Sequence, residues 1–187
     1  TSLSNLGDMA RQSGQTMNEV LNETAQTSVH LGKAFGISSK LIGKNMNELT
    51  EDIGTFGHMS VKELGATAAY AAKLGIEIKS LKGMFDKFAN FEDAAMGAAK
   101  LAETFGMNVD AMELMNAESP AEQMDMMRKA FLETGKSLDD LSRQEKAYLA
   151  EQMGVEAKDL YAAFDPANAD LTFDDMMAEA ELAQEKV

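Results

Sequence analysis

The chain has 187 residues, with 17 basic against 31 acidic side chains, a net charge of −14, 45% apolar residues, 14 Gly, 2 Pro and no Cys. A chain of this length buries roughly 70% of its extended surface and holds one domain or two small ones without a covalent staple. The missing cysteines exclude disulfides and thiolate metal sites, an isoelectric point near 4.5 opposes capture of a phosphate backbone, and no apolar run approaches the ~20 residues that span a bilayer.

The opening residues, Thr1 to Gly14, are polar rather than a charged-then-apolar leader. Thr1 is not an initiator methionine, and Ala178 to Val187 read as a helix with no stop signal, so the chain is expected to be a piece of a longer protein. Residues 1–90 hold 9 basic and 9 acidic groups, whereas residues 91–187 hold 8 and 22. Glycine divides the other way, 10 against 4. These shifts predict two helical subdomains, a charge-balanced, Gly-rich one over 1–90 and an acidic, Met-rich one over 91–187, joined near Ala89-Asn90-Phe91.

In chain order the predicted elements are all helical, because β-branched residues are sparse while Ala, Leu, Glu, Lys, Gln and Met fill the windows. A stripe of Met17, Val20, Leu21 and Leu31 runs to a stop at Gly36, and a second of Ile42, Met46, Leu49, Ile53 and Phe56 runs to Gly57. Ser60 with Glu63 has the spacing of a capping box and opens a helix whose Ala66-Thr67-Ala68-Ala69 core lets neighbours approach closely before it stops at Gly75. Phe91, Ala94, Ala95, Ala98, Leu101, Ala102 and Phe105 form the next stripe, closed by Gly106. Ser119 with Glu122, strengthened by Pro120 at the first helical position, starts the stripe Met124, Met127, Ala130 and Phe131, which stops at Gly135.

Three further boxes follow at Ser137 with Asp140, Ser142 with Glu145 and Thr172 with Asp175, with another stop at Gly154. The fold predicted is all-α, a compact irregular array of about eight to ten short helices joined by Gly-terminated turns. The glycine intervals are too uneven for a helical solenoid.

Chemistry-bearing patterns are few. Ala130-Phe-Leu-Glu-Thr-Gly135-Lys136-Ser137 fits a relaxed phosphate-loop pattern, but an amphipathic helix precedes it where such a loop needs a strand, so it reads as a helix corner. Gly43-Lys44 fits less well, since Asn45 stands where the hydroxyl should be. His30 and His58 lack a carboxylate three residues before them, as a helical di-metal site requires, and read as capping or surface groups. Asp165, Asp170, Asp174 and Asp175 do not match a calcium loop and read as solvated acid at a helix start. With 31 carboxylates present, no pair singles itself out for glycoside hydrolysis, and no nucleophile elbow stands near either histidine. The expectation is a protein with no catalytic, cofactor-binding or metal-binding residue.

Methionine is the one excess, 15 in all. Thioethers fill irregular core gaps and also make adaptable binding surfaces. Two groups are the interaction candidates: a ridge of Phe85, Phe88 and Phe91, three apart and on one face if the helix is unbroken, and a cluster of Met112, Met115, Met126 and Met127. Asn90 with Asp93 could cap a new helix and split that ridge.

The run Leu74-Gly-Ile-Glu-Ile-Lys-Ser-Leu-Lys-Gly-Met-Phe-Asp-Lys-Phe-Ala-Asn-Phe-Glu-Asp93, then a helix to Phe105-Gly106, Ser119-Pro-Ala-Glu, Thr134-Gly-Lys-Ser-Leu-Asp-Asp-Leu-Ser-Arg-Gln-Glu-Lys146 and Ala150-Glu-Gln-Met-Gly-Val155, resembles the helical region of tail tape measure proteins of contractile-tailed bacteriophages. The resemblance covers about residues 60 to 165 and rests on caps and apolar positions; the long uninterrupted rod of the family is absent. It implies a structural function in tail assembly, length determination and genome ejection, in the tail tube lumen or baseplate of the virion. It implies as partners the tail tube and baseplate hub proteins and other copies of the chain, with no specific nucleic-acid binding. Two alternatives stand beside it: a Met-rich module that accepts an amphipathic partner helix, and an embedded peptidoglycan hydrolase.

Overall fold

The computed structural model describes residues 3–185, with Leu3 and Ile53 as backbone only. Among the described residues there are twelve α-helices, two 3-10 turns and no strand, the all-α array expected. The helices are α1 (Leu3–Ser13), α2 (Met17–Phe35), α3 (Ser39–Glu51), α4 (Ile53–Phe56), α5 (Val61–Leu74), α6 (Ile78–Lys87), α7 (Phe91–Phe105), α8 (Ala111–Asn116), α9 (Pro120–Glu133), α10 (Arg143–Met153), α11 (Ala157–Ala163) and α12 (Phe173–Glu185). Helix α12 contains the unstopped segment read from sequence as far as Glu185; Lys186 and Val187 lie outside the described residues.

Two compact units form. One contains the residues up to Lys73 together with those from Thr172 onward, and the other runs from Leu74 to Leu171. The change in charge and glycine content near Phe91 therefore falls inside the second unit, and the C-terminal helix belongs with the first. Charge and glycine report on surfaces and turns, whereas the units are set by which apolar faces meet.

In the first unit, α2 packs against α1, α3 and α12. Helix α5 is the most enclosed element, with Ala66, Ala68, Ala69, Tyr70 and Ala71 all buried, so its small side chains serve the close approach expected of them. The Asn45 amide of α3 donates to the Ala68 carbonyl at 3.1 Å, and the Tyr70 ring meets Phe173 of α12 edge-on at 5.9 Å. Ile42, Met46, Leu49 and Phe56 are buried as their stripe requires; Leu21, placed in the earlier stripe, is exposed.

In the second unit, α7 packs on α8 and α10, and α6 packs on α9. Its organising feature is a pair of matched corners. Leu74-Gly75-Ile76-Glu77-Ile78-Lys79-Ser80-Leu81 and Met153-Gly154-Val155-Glu156-Ala157-Lys158-Asp159-Leu160 carry Gly, Glu, Lys and Leu at the same places. In both, the glycine has positive φ and the glutamate begins the next helix in an extended conformation.

The corners face each other reciprocally: Lys79 lies 3.3 Å from Glu156, Lys158 lies 2.6 Å from Glu77, and the Ser80 hydroxyl donates to the Asp159 carboxylate between them. Backbones touch beside this contact, where a Cβ on Gly83 would stand 2.8 Å from the Gly154 carbonyl oxygen.

Caps behave largely as their spacing dictates. Ser60 with Glu63, Ser137 with Asp140 and Ser142 with Glu145 make both hydrogen bonds of the box. The Ser137 box opens a 3-10 turn, Leu138–Asp140, rather than an α-helix. Ser119 accepts from the Glu122 amide at 3.1 Å, while the Glu122 carboxylate reaches the Glu118 amide instead of completing a box. Thr16 with Glu19, not among the five expected, forms a full box. Gly36, Gly75, Gly106, Gly135 and Gly154 have φ between 67° and 77°, as helix stops require, and Gly57 lies in the turn after α4.

Three lysines complete helix ends within their own units. Lys73 donates to the Phe35 carbonyl at 2.9 Å, Lys136 to that of Phe105 at 3.2 Å, and Lys87 to that of Glu151. Each brings positive charge to the C-terminal turn of a helix, where the Glu151 carbonyl also accepts from the Gly154 amide at 3.2 Å.

Candidate interaction surfaces

Each titratable group singled out by sequence has a structural task or faces solvent. His30 Nε2 lies 2.8 Å from a Glu179 carboxylate oxygen and joins α2 to α12; His58 is exposed. Gly43 and Lys44 sit inside α3, with Lys44 paired to Glu48 at 3.2 Å. The Ala130–Ser137 run is the end of α9 and the turn beyond it, and its Lys136 is the cap on α7. Asp165 accepts from the Ala167 amide at 2.9 Å and Asp175 pairs with Thr172 at a helix start, while Asp170 and Asp174 are exposed. Among the described residues no group of three or more His, Asp or Glu gathers as a metal site would require. Nor is any helix long and apolar enough to cross a membrane.

Two buried charges are absorbed by the fold. Arg128, 3% exposed, donates to the carbonyls of Ala163 at 2.7 Å, Leu171 at 2.9 Å and Asn168, so one planar fork holds the end of α11 and the segment after it. Asp159 is the carboxylate between the matched corners.

The phenylalanine ridge does not form one face. Helix α6 ends at Lys87, and the Asn90 side chain accepts from the Asp93 amide at 3.0 Å to begin α7, which is the split that Asn90 and Asp93 made possible. Phe88 is fully buried, with its ring against Gly97, Phe85 is half-buried, and Phe91 is 55% exposed at the first position of α7. The methionine cluster is likewise divided. Met127 is fully buried, Met115 and Met126 are half-buried, and Met112 is 47% exposed on α8.

Met96 of α7, 46% exposed, is a surface residue that the sequence reading missed. The available signal was that α7 is apolar on both sides. Ala94, Gly97, Ala98, Leu101 and Phe105 form its buried side, while Phe91, Met96, Ala99 and Ala102 remain exposed.

Open cavities among the described residues of the first unit include two of about 360 Å³ and one of about 440 Å³ along Glu19, Asn22, Gln26 and Gln184. Of the two smaller ones, one is lined in part by Gln12, Gln15, Glu23, His58 and Met59, and one lies along α2 and α12 at Ala25, Val29, His30 and Ala183. Their polar linings mix amides, hydroxyls and ionisable groups, Ser13, Ser60, Glu23 and His58 in one and His30 and Lys33 in another.

No protein-family model, curated protein or solved structure matches the chain.

Proposed function

We propose that the chain is a non-catalytic structural segment of a tail tape measure protein, acting in tail assembly, length determination and genome ejection. The supporting observation is that the resembling run from Leu74 to Val155 falls inside one compact helical unit, with its glycine, hydroxyl and acidic motif residues used as stops, caps and paired corners. In this reading the unit is a folded bead within a longer chain, located in the tail lumen or baseplate and in contact with tube or hub proteins.

The test is an in-frame deletion of codons 74–171 from the parent gene, followed by electron microscopy and peptide mass spectrometry of the purified particles. Peptides of this chain in wild-type virions, with shortened or absent tails in the deletion, are the expected result. Tails of unchanged length and virions without the chain would overturn the proposal. A peptidoglycan-clearing assay on the purified chain separates the enzymatic alternative: clearing abolished by one Glu substitution would replace the structural reading with a hydrolase.

A further inference from the structure

We propose that the groove along α2 and α12 of the first unit binds an extended peptide segment of another protein. Asn22 and Gln26 hold its main chain, and Glu19 and Glu23 take its lysine or arginine side chains. Two open cavities adjoin in this groove, since Gln26 lines both. The larger, about 440 Å³, is lined by Gln15, Glu19, Asn22, Glu23, Gln26 and Gln184. The other, about 360 Å³, continues past Val29 and Lys33 of α2 and Ala183 of α12. On α2 the lining positions 19, 22, 23, 26, 29 and 33 recur at steps of three and four or their sums, so they share one side of the helix.

Every side chain lining the larger cavity is a carboxamide or a carboxylate. A carboxamide offers an N–H beside a C=O, the same pair that a peptide unit presents in return. Asn22 and Gln26 are exposed, and neither side chain hydrogen-bonds to a described residue, so both pairs are free. One helical turn separates them, about 6 Å for four residues. Alternate residues of an extended chain repeat at about 6.6 Å, so a strand laid along α2 meets both carboxamides from one edge. A partner helix uses its main-chain groups internally, and a phosphate would face two carboxylates.

Charge selects the side chains. Glu19 and Glu23 repeat at the same four-residue interval, and no Lys or Arg lines their cavity. The Glu23 carboxylate is held from two sides, by Gln15 at 3.0 Å and by Gln184, and among the described residues no cation pairs with it. Glu19 uses only Oε2 in its capping box with Thr16 and leaves Oε1 open. Basic residues two apart on an extended peptide therefore reach both carboxylates. A further step of about 6 Å along α2 arrives between Ala25 and Val29, where the next alternate side chain is best apolar. The inference rests on the groove alone and does not depend on the tape measure reading.

The probe is a fluorescein-labelled peptide, Gly-Ser-Lys-Thr-Lys-Thr-Leu-Thr-Ser, titrated with the whole chain and followed by anisotropy. Saturable 1:1 binding is expected, at least about tenfold tighter than that of a control with Glu for each Lys and weakening as salt rises. Two further peptides carry N-methyl groups on alternate main-chain amides, one in each register, and keep every charge. An extended strand turns alternate N–H groups to opposite edges, so one register should bind about tenfold more weakly and the other nearly as the parent.

Asn22→Ala and Gln26→Ala should each weaken binding about fivefold, the worth of one hydrogen bond. Both sites are exposed and alanine favours a helix, so the fold is retained, which unchanged circular dichroism melting confirms. Gln144→Ala, which removes an exposed carboxamide on α10, should bind as wild type. The absence of saturable binding, equal affinity of the two N-methylated registers, or wild-type affinity in both Asn22→Ala and Gln26→Ala would overturn the proposal. So would a Glu-substituted control that binds as tightly as the probe.

Discussion

The Ser80 hydroxyl donates to the Asp159 carboxylate, and the two residues hold the same place in two corners of matching sequence. Around this central bond the ion pairs cross, Lys79 to Glu156 and Lys158 to Glu77. Any corner with Glu at its cap and Lys two residues later carries both halves of such a contact, so two of them meet without like charges opposed. The relation is confined to these groups. A Cβ on Gly154 would stand 3.0 Å from the Gly83 carbonyl oxygen, whereas one on Gly75 would meet nothing within 4 Å.

The crossed pairs give the second unit a defined pH window. The Lys79 hydrogen bond, then the charge of Lys158, holds Glu156 below the ordinary glutamate value, while the hydrogen bond to Glu77 holds Lys158 above the ordinary lysine value. A depressed carboxylate stabilises above its unfolded pKa and loses that contribution as pH falls through the folded value; a raised lysine stabilises below its unfolded pKa and loses it as pH rises through the folded value. Both contributions are present at neutral pH. Thermal melting should show Lys158→Met below wild type at pH 7 and low salt, with the gap closing near 1 M salt, where screening acts over about 3 Å. A gap unchanged by salt would mean that the lysine acts through its aliphatic stem.

The capping boxes add to acid sensitivity in the same direction. Glu19, Asp140 and Glu145 are each held below the ordinary carboxylate value by hydrogen bonds from Thr16, Ser137 and Ser142. Ser142→Ala should cost about 1 kcal/mol at pH 7, the usual worth of an N-cap. With the Ser142 hydroxyl gone, only the residue-142 amide is left to hold the Glu145 carboxylate, so the variant should also lose somewhat less stability than wild type on titration to pH 3, measured by urea unfolding at each pH.

Gly83 and Gly43 should respond oppositely to alanine. Alanine favours a helix interior over glycine by about 1 kcal/mol. At Gly43 the added Cβ finds its nearest neighbour at 3.9 Å, so Gly43→Ala should raise stability by about 0.5–1 kcal/mol. At Gly83 the same atom would stand 2.8 Å from a backbone oxygen that cannot rotate away, and Gly83→Ala should be destabilising by about 1–3 kcal/mol. Equilibrium denaturation of the two variants side by side provides the comparison, and stabilisation by Gly83→Ala would show that the corners yield.

Arg128 should resist replacement even by lysine. Its fork serves three carbonyls from different residues, and an ammonium cannot reproduce that geometry. Arg128→Met should cost about 3 kcal/mol and speed hydrogen exchange in residues 164–171 more than elsewhere in the unit. Full retention of stability in Arg128→Lys would reduce the requirement to charge alone.

Phe88 and Phe91 separate packing from surface. Phe88→Ala, at a fully buried site against Gly97, should lose about 3–5 kcal/mol, whereas Phe91→Ala should leave the denaturation midpoint nearly unchanged. Equal losses would restore the single ridge that the helix break at Asn90 divides.

Helix identity, most starts and nearly all stops were legible in the sequence, because the interactions that set them close within four or five residues. Ser142 finds Glu145 three positions on, and the Gly106 amide returns to carbonyls of its own last turn. Even the break between Phe88 and Phe91 was written locally, in Asn90 and Asp93. Tertiary structure alone decided the rest. The matched corners meet across 79 positions, α12 returns to the first unit through Tyr70–Phe173 and His30–Glu179, and Met127 lies inside while Met112 lies outside. Apolar spacing reveals that a side of a helix is greasy, but which sides meet is a choice among competing pairings of the whole chain, and that choice rests on shape, closeness of backbone approach and the placement of a few charges.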